Sequence, residues 1–209
     1  MTRAQRSALA RFWPVYGVEC DGLLNLAALF GRDAPCFLEI GFGMGDALIE
    51  MAQASPEHDF LGVEVHTPGI GRLLAQLAGM QLANVRVMQA DAVLVLRDCI
   101  PAASLQGVFV FFPDPWPKKR HHKRRLLQAP FVELVAKRLV CGGRLQVATD
   151  WEDYALQILE VVEASHHFSN LAGAGQFSAR PSNRPITKFE RRGVRLGHGV
   201  WDLVFEHTR

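Results

Sequence analysis

Three acidic residues stand at the ends of three β-like runs in the first half of the chain. Glu39 lies in Cys36-Phe37-Leu38-Glu39-Ile40, Glu64 ends the run that starts at Phe60, and Asp91 follows the run that starts at Val85. After Glu39 the chain enters Gly41-Phe42-Gly43-Met44-Gly45-Asp46, a glycine-rich turn that opens a helix. Gly41, Gly43 and Gly45 can take positive φ and let the backbone approach a ligand closely, and ligands of open α/β sheets bind beyond the carboxyl ends of the strands. The spacing is G-x-G-x-G, and Asp46 stands where the dinucleotide fingerprint has its third glycine. No G-x-x-x-x-G-K-[ST] is present, which excludes a nucleoside-triphosphate loop of that type. A carboxylate two residues before the first glycine repels a pyrophosphate and attracts a cation. Glu64 is placed to accept from ribose hydroxyls and Asp91 from an adenine amino group. Taken singly, Glu39 reads as a salt-bridged strand residue and the other two as helix N-caps. Three acids in register favour an adenosine ligand that carries positive charge and no phosphate, which is the chemistry of S-adenosylmethionine.

A second constellation follows the fourth β-like run. Phe111-Phe112-Pro113-Asp114-Pro115-Trp116-Pro117 sets a carboxylate and an indole among three prolines, whose fixed φ stiffens the turn. Asp114 can accept from a purine, and Trp116 can stack on a base, an interaction worth about 1–3 kcal/mol. Directly after it, Lys118 to Arg125 reads KKRHHKRR, six of the 23 Lys and Arg with no acid, leaving 17 bases against 21 acids elsewhere. A mildly acidic body therefore carries one dense cationic patch, suited to phosphates and to binding that weakens with salt. A base-holding turn beside a phosphate-holding ridge suits modification of a nucleotide within a polymer.

These residues need a scaffold. Helical patterning over Asp46–Ala54, Leu73–Leu82, Phe131–Leu139 and Trp151–Ala164 alternates with strand patterning over Cys36–Ile40, Phe60–Val65, Val85–Ala90, Val108–Phe112 and Leu145–Thr149. Gly142-Gly143 reads as the stop of the third of these helices, and Asp150 with Asp153 as caps of the fourth. Such alternation predicts an α/β fold with a mostly parallel sheet and right-handed crossovers. Residues 1–34 form an N-terminal helical segment, with a helix over Leu23–Phe30 at a sheet edge, before a single domain over 35–209. In the tail, Phe168–Leu171, Lys188–Leu196 and Val200–Glu206 have strand composition, and Gly197-His198-Gly199 reads as the turn of a C-terminal antiparallel hairpin. At 209 residues, 49% hydrophobic and 21% charged, the chain is neither collagen-like, disordered nor coiled coil. No apolar run reaches a membrane span and the N-terminus lacks a signal peptide's apolar core, so the expectation is a cytoplasmic protein. Cys20, Cys36, Cys99 and Cys141 show no disulfide framework or zinc spacing and read as reduced core thiols.

The blocks EIGFGMGD (39–46), GVEVHTPGIG (62–71), FPDPWPKKRHHKRRL (112–126), ATDW (148–151) and RPITKFERRG (184–193) together resemble the bacterial tRNA (guanine-N7-)-methyltransferases. The resemblance covers most of the chain, and its third and fifth blocks are specific to that family. It implies a Rossmann-like class I methyltransferase fold with a seven-stranded sheet, S-adenosylmethionine as cofactor and tRNA as partner; the absence of any metal constellation or membrane-length apolar run adds the expectation of no metal and no membrane, and a monomer or homodimer is expected. By the same resemblance Asp114 is the catalytic acid at the cofactor–substrate junction. Glu39, Gly41, Gly43, Gly45, Glu64, Asp91 and Asp114 contact the cofactor. Lys118, Asp150, Thr187, Lys188, Phe189 and Glu190 contact the target nucleoside, and Arg120, His121, His122, Lys123, Arg124 and Arg125 engage the RNA. The family's Arg-rich N-terminal segment is thin here, with Arg3, Arg6 and Arg11 alone near the start. The other readings are amino methylation of adenine or cytosine, since Asp114-Pro115-Trp116 is close to a D-P-P-[YFW] turn, an NAD-dependent oxidoreductase, and a non-catalytic RNA-binding module.

Overall fold

The computed structural model describes residues 1–186, 190 and 199–208. Two helices, α1 (Arg3–Tyr16) and α2 (Leu26–Phe30), precede the alternation β1 (Cys36–Ile40), α3 (Asp46–Ala54), β2 (Asp59–Glu64), α4 (Thr67–Met80), β3 (Val85–Gln89), α5 (Ala92–Leu94), β4 (Leu105–Phe111), α6 (Ala129–Arg138), β5 (Leu139–Thr149) and α7 (Glu152–Glu163). The strands β6 (Phe168–Asn170) and β7 (Trp201–His207) follow. The seven strands lie in the order β3-β2-β1-β4-β5-β7-β6, with β1 to β5 parallel and β7 antiparallel to both β5 and β6.

The strand residues divide by alternation between two apolar layers. Val108 and Val110 join Leu38, Ile40, Val132 and Ile158 in one, while Phe109 and Phe111 join Phe60, Leu48 and Leu74 in the other. α1 is closed at its start by a capping box in which Thr2 and Gln5 exchange side-chain and backbone bonds. It lies on α4 so closely that a Cβ on Gly71 would come within 2.5 Å of the Gln5 carbonyl oxygen.

Several expectations shift. α4 begins at Thr67, six residues before the expected helix, because Pro68 is tolerated in a first turn. α6 passes into β5 at Leu139 without a loop, and Gly142-Gly143 lie inside the strand instead of ending the helix. The glycine pair supplies the irregularity there: Leu105 pairs with Leu139, but Gly107 pairs with Arg144. Neither Asp150 nor Asp153 caps α7, whose N-cap is Trp151 without a side-chain bond. Cys20 and Cys99 are joined in a disulfide, contrary to the reduced pair expected, and Cys141 is exposed. Cys36 is a buried thiol, pushed up to about 12 by burial and by the Asp59 charge. The strand expected over 188–196, Glu190 apart, and the turn before Gly199 lie outside the described residues. No described helix is long and apolar enough to cross a membrane, and no metal-binding cluster exists among the described residues.

Candidate active site

The chain leaves the neighbouring strands β1 and β4 at the switch point of the sheet. A cavity of about 490 Å³ opens there, with Gly41, Glu64 and Asp91 on its wall together with Asp114, Trp116 and Arg124. The glycine turn holds φ at +73°, +57° and +80° at Gly41, Gly43 and Gly45. Where Gly41 and Gly43 lack a Cβ, no described atom beyond each glycine and its chain neighbours lies within 4 Å, so the backbone there presents an open cradle. The turn is braced from outside. Arg72 of α4 forks onto Asp46, with Nη2 at 2.6 Å from Oδ1 and Nη1 at 3.2 Å from Oδ2. The residue that spoils the dinucleotide fingerprint is therefore a structural anchor.

Asp91 is the helix N-cap expected of it, whereas Glu64 caps no helix, because the N-cap of α4 is His66 and carries no side-chain bond. Glu64 Oε2 accepts from the Gly43 N–H at 2.8 Å, and Oε1 accepts from the Val65 and His66 N–H groups at 2.7 and 2.9 Å. Asp91 caps α5, its Oδ1 accepting from Val93 at 2.8 Å and Leu94 at 3.3 Å. Each also lines the cavity. Glu39 differs: it is 3% exposed and lies behind the wall, next in sequence to Ile40 and Gly41, which form it. Its Oε2 is buried without a hydrogen-bond partner among the described residues. Burial first, and the Glu64 charge second, push its carboxyl up to about 8. Glu39 is therefore a buried acid with an unmet oxygen beside a second carboxylate, just behind the cavity wall. The residues present thus fit a cationic adenosine cofactor: carboxylates to hold a positive group and hydroxyls, and an open glycine cradle to admit it.

On the opposite wall, Phe112 and Trp116 hold left-handed φ values of +53° and +43°. A non-glycine residue there costs roughly 1–2 kcal/mol, so the turn carrying Asp114 is strained at both ends. Asp114 is exposed at the mouth. The Arg124 guanidinium covers one part of the Trp116 ring at 5.0 Å, and His121 meets that ring edge-on at 5.9 Å. Lys119–Arg124 form a short 3₁₀ turn with Lys118 as its N-cap. Lys118, Arg120, Lys123 and Arg124 are exposed and His121 and His122 half-buried. Asp150 follows the end of β5, whose Ala148 carbonyl accepts from the Phe112 N–H at 2.7 Å. The cofactor candidates, Asp114 and the cationic ridge therefore share one end of the sheet.

Two candidates are enclosed by the fold. Arg125 does not face solvent: its side chain is 1% exposed and bonded within the chain. Glu190 is not open to a nucleoside, because its carboxylate is forked onto Arg184, with Oε2 at 2.6 Å from Nη1 and Oε1 at 3.0 Å from Nη2. Arg184 also holds Asp202 at 2.5 and 2.9 Å and lies over Phe112 at 5.9 Å. Burial pushes Asp202 up, against the pull of Arg184. Thr187, Lys188 and Phe189 lie outside the described residues. Sequence reasoning missed Arg184 and Asp202. The signal available was one acid inside the apolar run Trp201-Asp202-Leu203-Val204-Phe205, which demands a buried cationic partner.

Comparison with known proteins decides the family. A family model described as "Putative methyltransferase" matches residues 33–203. The tRNA (guanine-N(7)-)-methyltransferase of Stutzerimonas stutzeri is 56% identical over 207 residues, 99% of this chain and 87% of the relative. This chain belongs to that family. The family's enzyme from Escherichia coli O6:K15:H31 is 53% identical over 210 residues, 100% of this chain and 88% of the relative. Among solved structures, the 16S rRNA methyltransferase KamB superposes with a TM-score of 0.65 at 15% identity, over 93% of this chain and 99% of that one. That likeness shows the fold, a Rossmann-like class I methyltransferase sheet.

Proposed function

We propose that this protein transfers the methyl group of S-adenosylmethionine to N7 of a guanosine in tRNA. The observation that carries the reading is the junction at the cavity: carboxylates on one wall, Asp114 and Trp116 on the other, and the cationic ridge Lys118–Arg124 leading away from it. Family membership at 56% identity supports the same reaction and substrate. The protein acts in the cytoplasm, on tRNA.

When bound, the sulfonium supplies an electrophilic methyl for in-line displacement. Glu39 offers its unmet oxygen to the positive end of the cofactor, and Glu64 and Asp91 offer their remaining acceptor sites to ribose and adenine. Gly41 and Gly43 leave room for a ligand against the backbone. Guanine N7 carries an in-plane lone pair and no proton, so no residue is required to act as base. Trp116 and Asp114 orient the purine, a contribution of position. The Asp114 carboxylate opposes the positive charge that moves onto the ring. Lys118, Arg120, Lys123 and Arg124 hold the RNA backbone. The test is to incubate unmodified tRNA with methyl-labelled cofactor, digest it and identify the labelled nucleoside. N7-methylguanosine is expected; label in N6-methyladenosine or a methylcytosine overturns the reading.

A further inference from the structure

Arg125 belongs by sequence to the basic ridge, yet the fold turns it inward. Its guanidinium makes three bonds to three different groups. Nε donates to the Pro115 carbonyl at 2.8 Å, Nη1 to Gln157 Oε1 at 2.6 Å and Nη2 to Asp153 Oδ2 at 2.6 Å. The plane lies over the Tyr154 ring at 4.8 Å. Asp153, Tyr154 and Gln157 are on α7, whereas Pro115 is the residue between Asp114 and Trp116. We infer that Arg125 is a positioning residue that fixes the Asp114–Trp116 turn to α7, and that it does not bind RNA.

The turn lacks anchors of its own, and α7 supplies them. The Pro115 carbonyl belongs to the peptide that enters Trp116, a residue held at φ +43°. The turn's three prolines have no N–H to anchor it through. A rigid group must hold this peptide from outside, and a planar guanidinium fixes direction as well as distance. Its base is firm. Tyr154 is fully buried, its hydroxyl accepting from the Leu127 N–H at 3.1 Å, and Gln157 Nε2 donates to the Leu127 carbonyl at 3.2 Å. α7 thus grips the chain at Arg125 and at Leu127, on both sides of Leu126, itself on the cavity wall. The Arg125 bond also holds the Asp153 carboxyl below its ordinary range, as a formed ion pair does. The adjacent Arg124 has the opposite fate, exposed and laid on Trp116. Neighbouring arginines therefore divide two tasks, one holding the turn and the other meeting the RNA.

The inference rests on the proposed methyl transfer, and the test separates the two. Wild-type protein must first form N7-methylguanosine in unmodified tRNA; if it does not, the functional reading has failed, and the inference with it. Given that activity, Arg125→Met and Asp153→Ala are compared with wild type for kcat, cofactor Kd, tRNA Kd and the salt dependence of tRNA binding. Asp153→Ala guards against misfolding of the first variant, because the Asp153 side chain is 63% exposed. Arg125→Met is expected to lower kcat roughly ten- to hundredfold, the loss that an ångström of misplacement causes, with the salt slope of tRNA binding unchanged. Asp153→Ala is expected to lower kcat about threefold or more while tRNA binds as tightly as before or tighter, since a negative charge has left the ridge. A salt slope reduced in Arg125→Met makes Arg125 a phosphate ligand and overturns the inference. So does an unchanged kcat in folded Asp153→Ala, or a parallel fall of kcat and binding that follows the folded fraction.

Discussion

Substituting Glu39 by Gln isolates the buried carboxyl while keeping its shape. In the ligand-free protein this group is 3% exposed, has an unmet Oε2 and faces the Glu64 charge. Its folded value of about 8 stands above the ordinary 4.5. The folded chain then keeps a proton that the unfolded chain releases. Stability from this group is complete below pH 4.5 and is lost as pH rises through about 8. At 1.36 kcal/mol per pH unit the whole interval amounts to about 5 kcal/mol. The amide of Glu39→Gln does not titrate. Measured from the acid limit, the variant should therefore gain on wild type by about 1 kcal/mol at pH 5, about 3 at pH 7 and about 4 at pH 8. Urea unfolding followed by circular dichroism at these pH values, without cofactor, measures the gap. Calorimetry in buffers of different ionisation enthalpy supplies the second half: cofactor binding to wild type at pH 7 should release about one proton, and the variant should bind more weakly and release none. A gap that does not grow with pH would refute the argument, because it would mean that the carboxylate finds a partner in the free protein.

Other perturbations probe the rest of the site. Asp114→Asn should lower kcat and leave the tRNA Kd largely intact, since the carboxylate acts on charge in the ring; loss of tRNA binding, read by filter retention, would contradict this. Arg124→Ala should raise the tRNA Kd and reduce the log–log salt slope by about one, checked by titrations at several ionic strengths. The rate of the chemical step under single turnover should stay nearly flat from neutral pH upward, and a log-linear rise would point to a base. Arg184→Met should destabilise the fold by about 3–5 kcal/mol, because the buried Asp202 loses the guanidinium that forks onto it; a denaturation midpoint close to wild type would refute it.

Much of this protein was legible in the order of its residues. The run from Cys36 to Asp46 dictates a strand, a glycine turn and a helix because apolar alternation, positive φ and helical spacing are local properties, and α3 spans the expected Asp46–Ala54. The cationic ridge and the proline-stiffened turn are local in the same sense, which is why the cavity gathers Glu64, Asp91 and Asp114 as their positions at strand ends required. Direction and burial are not local. Arg124 and Arg125 are alike as letters, and only the packing of α7 decides that one is exposed and the other enclosed. Glu190 reads as a polar residue in a polar stretch until β7 brings Asp202 and the fold brings Arg184 to it. Cys20 and Cys99 are 79 residues apart, and nothing in their spacing shows that the chain returns to join them. The sequence by itself determined which chemical groups stand at each strand end, because those follow from residue type and short-range geometry. Tertiary structure alone decided which charges are neutralised inside and which remain for a ligand, because that depends on groups far apart in the chain coming within hydrogen-bond reach.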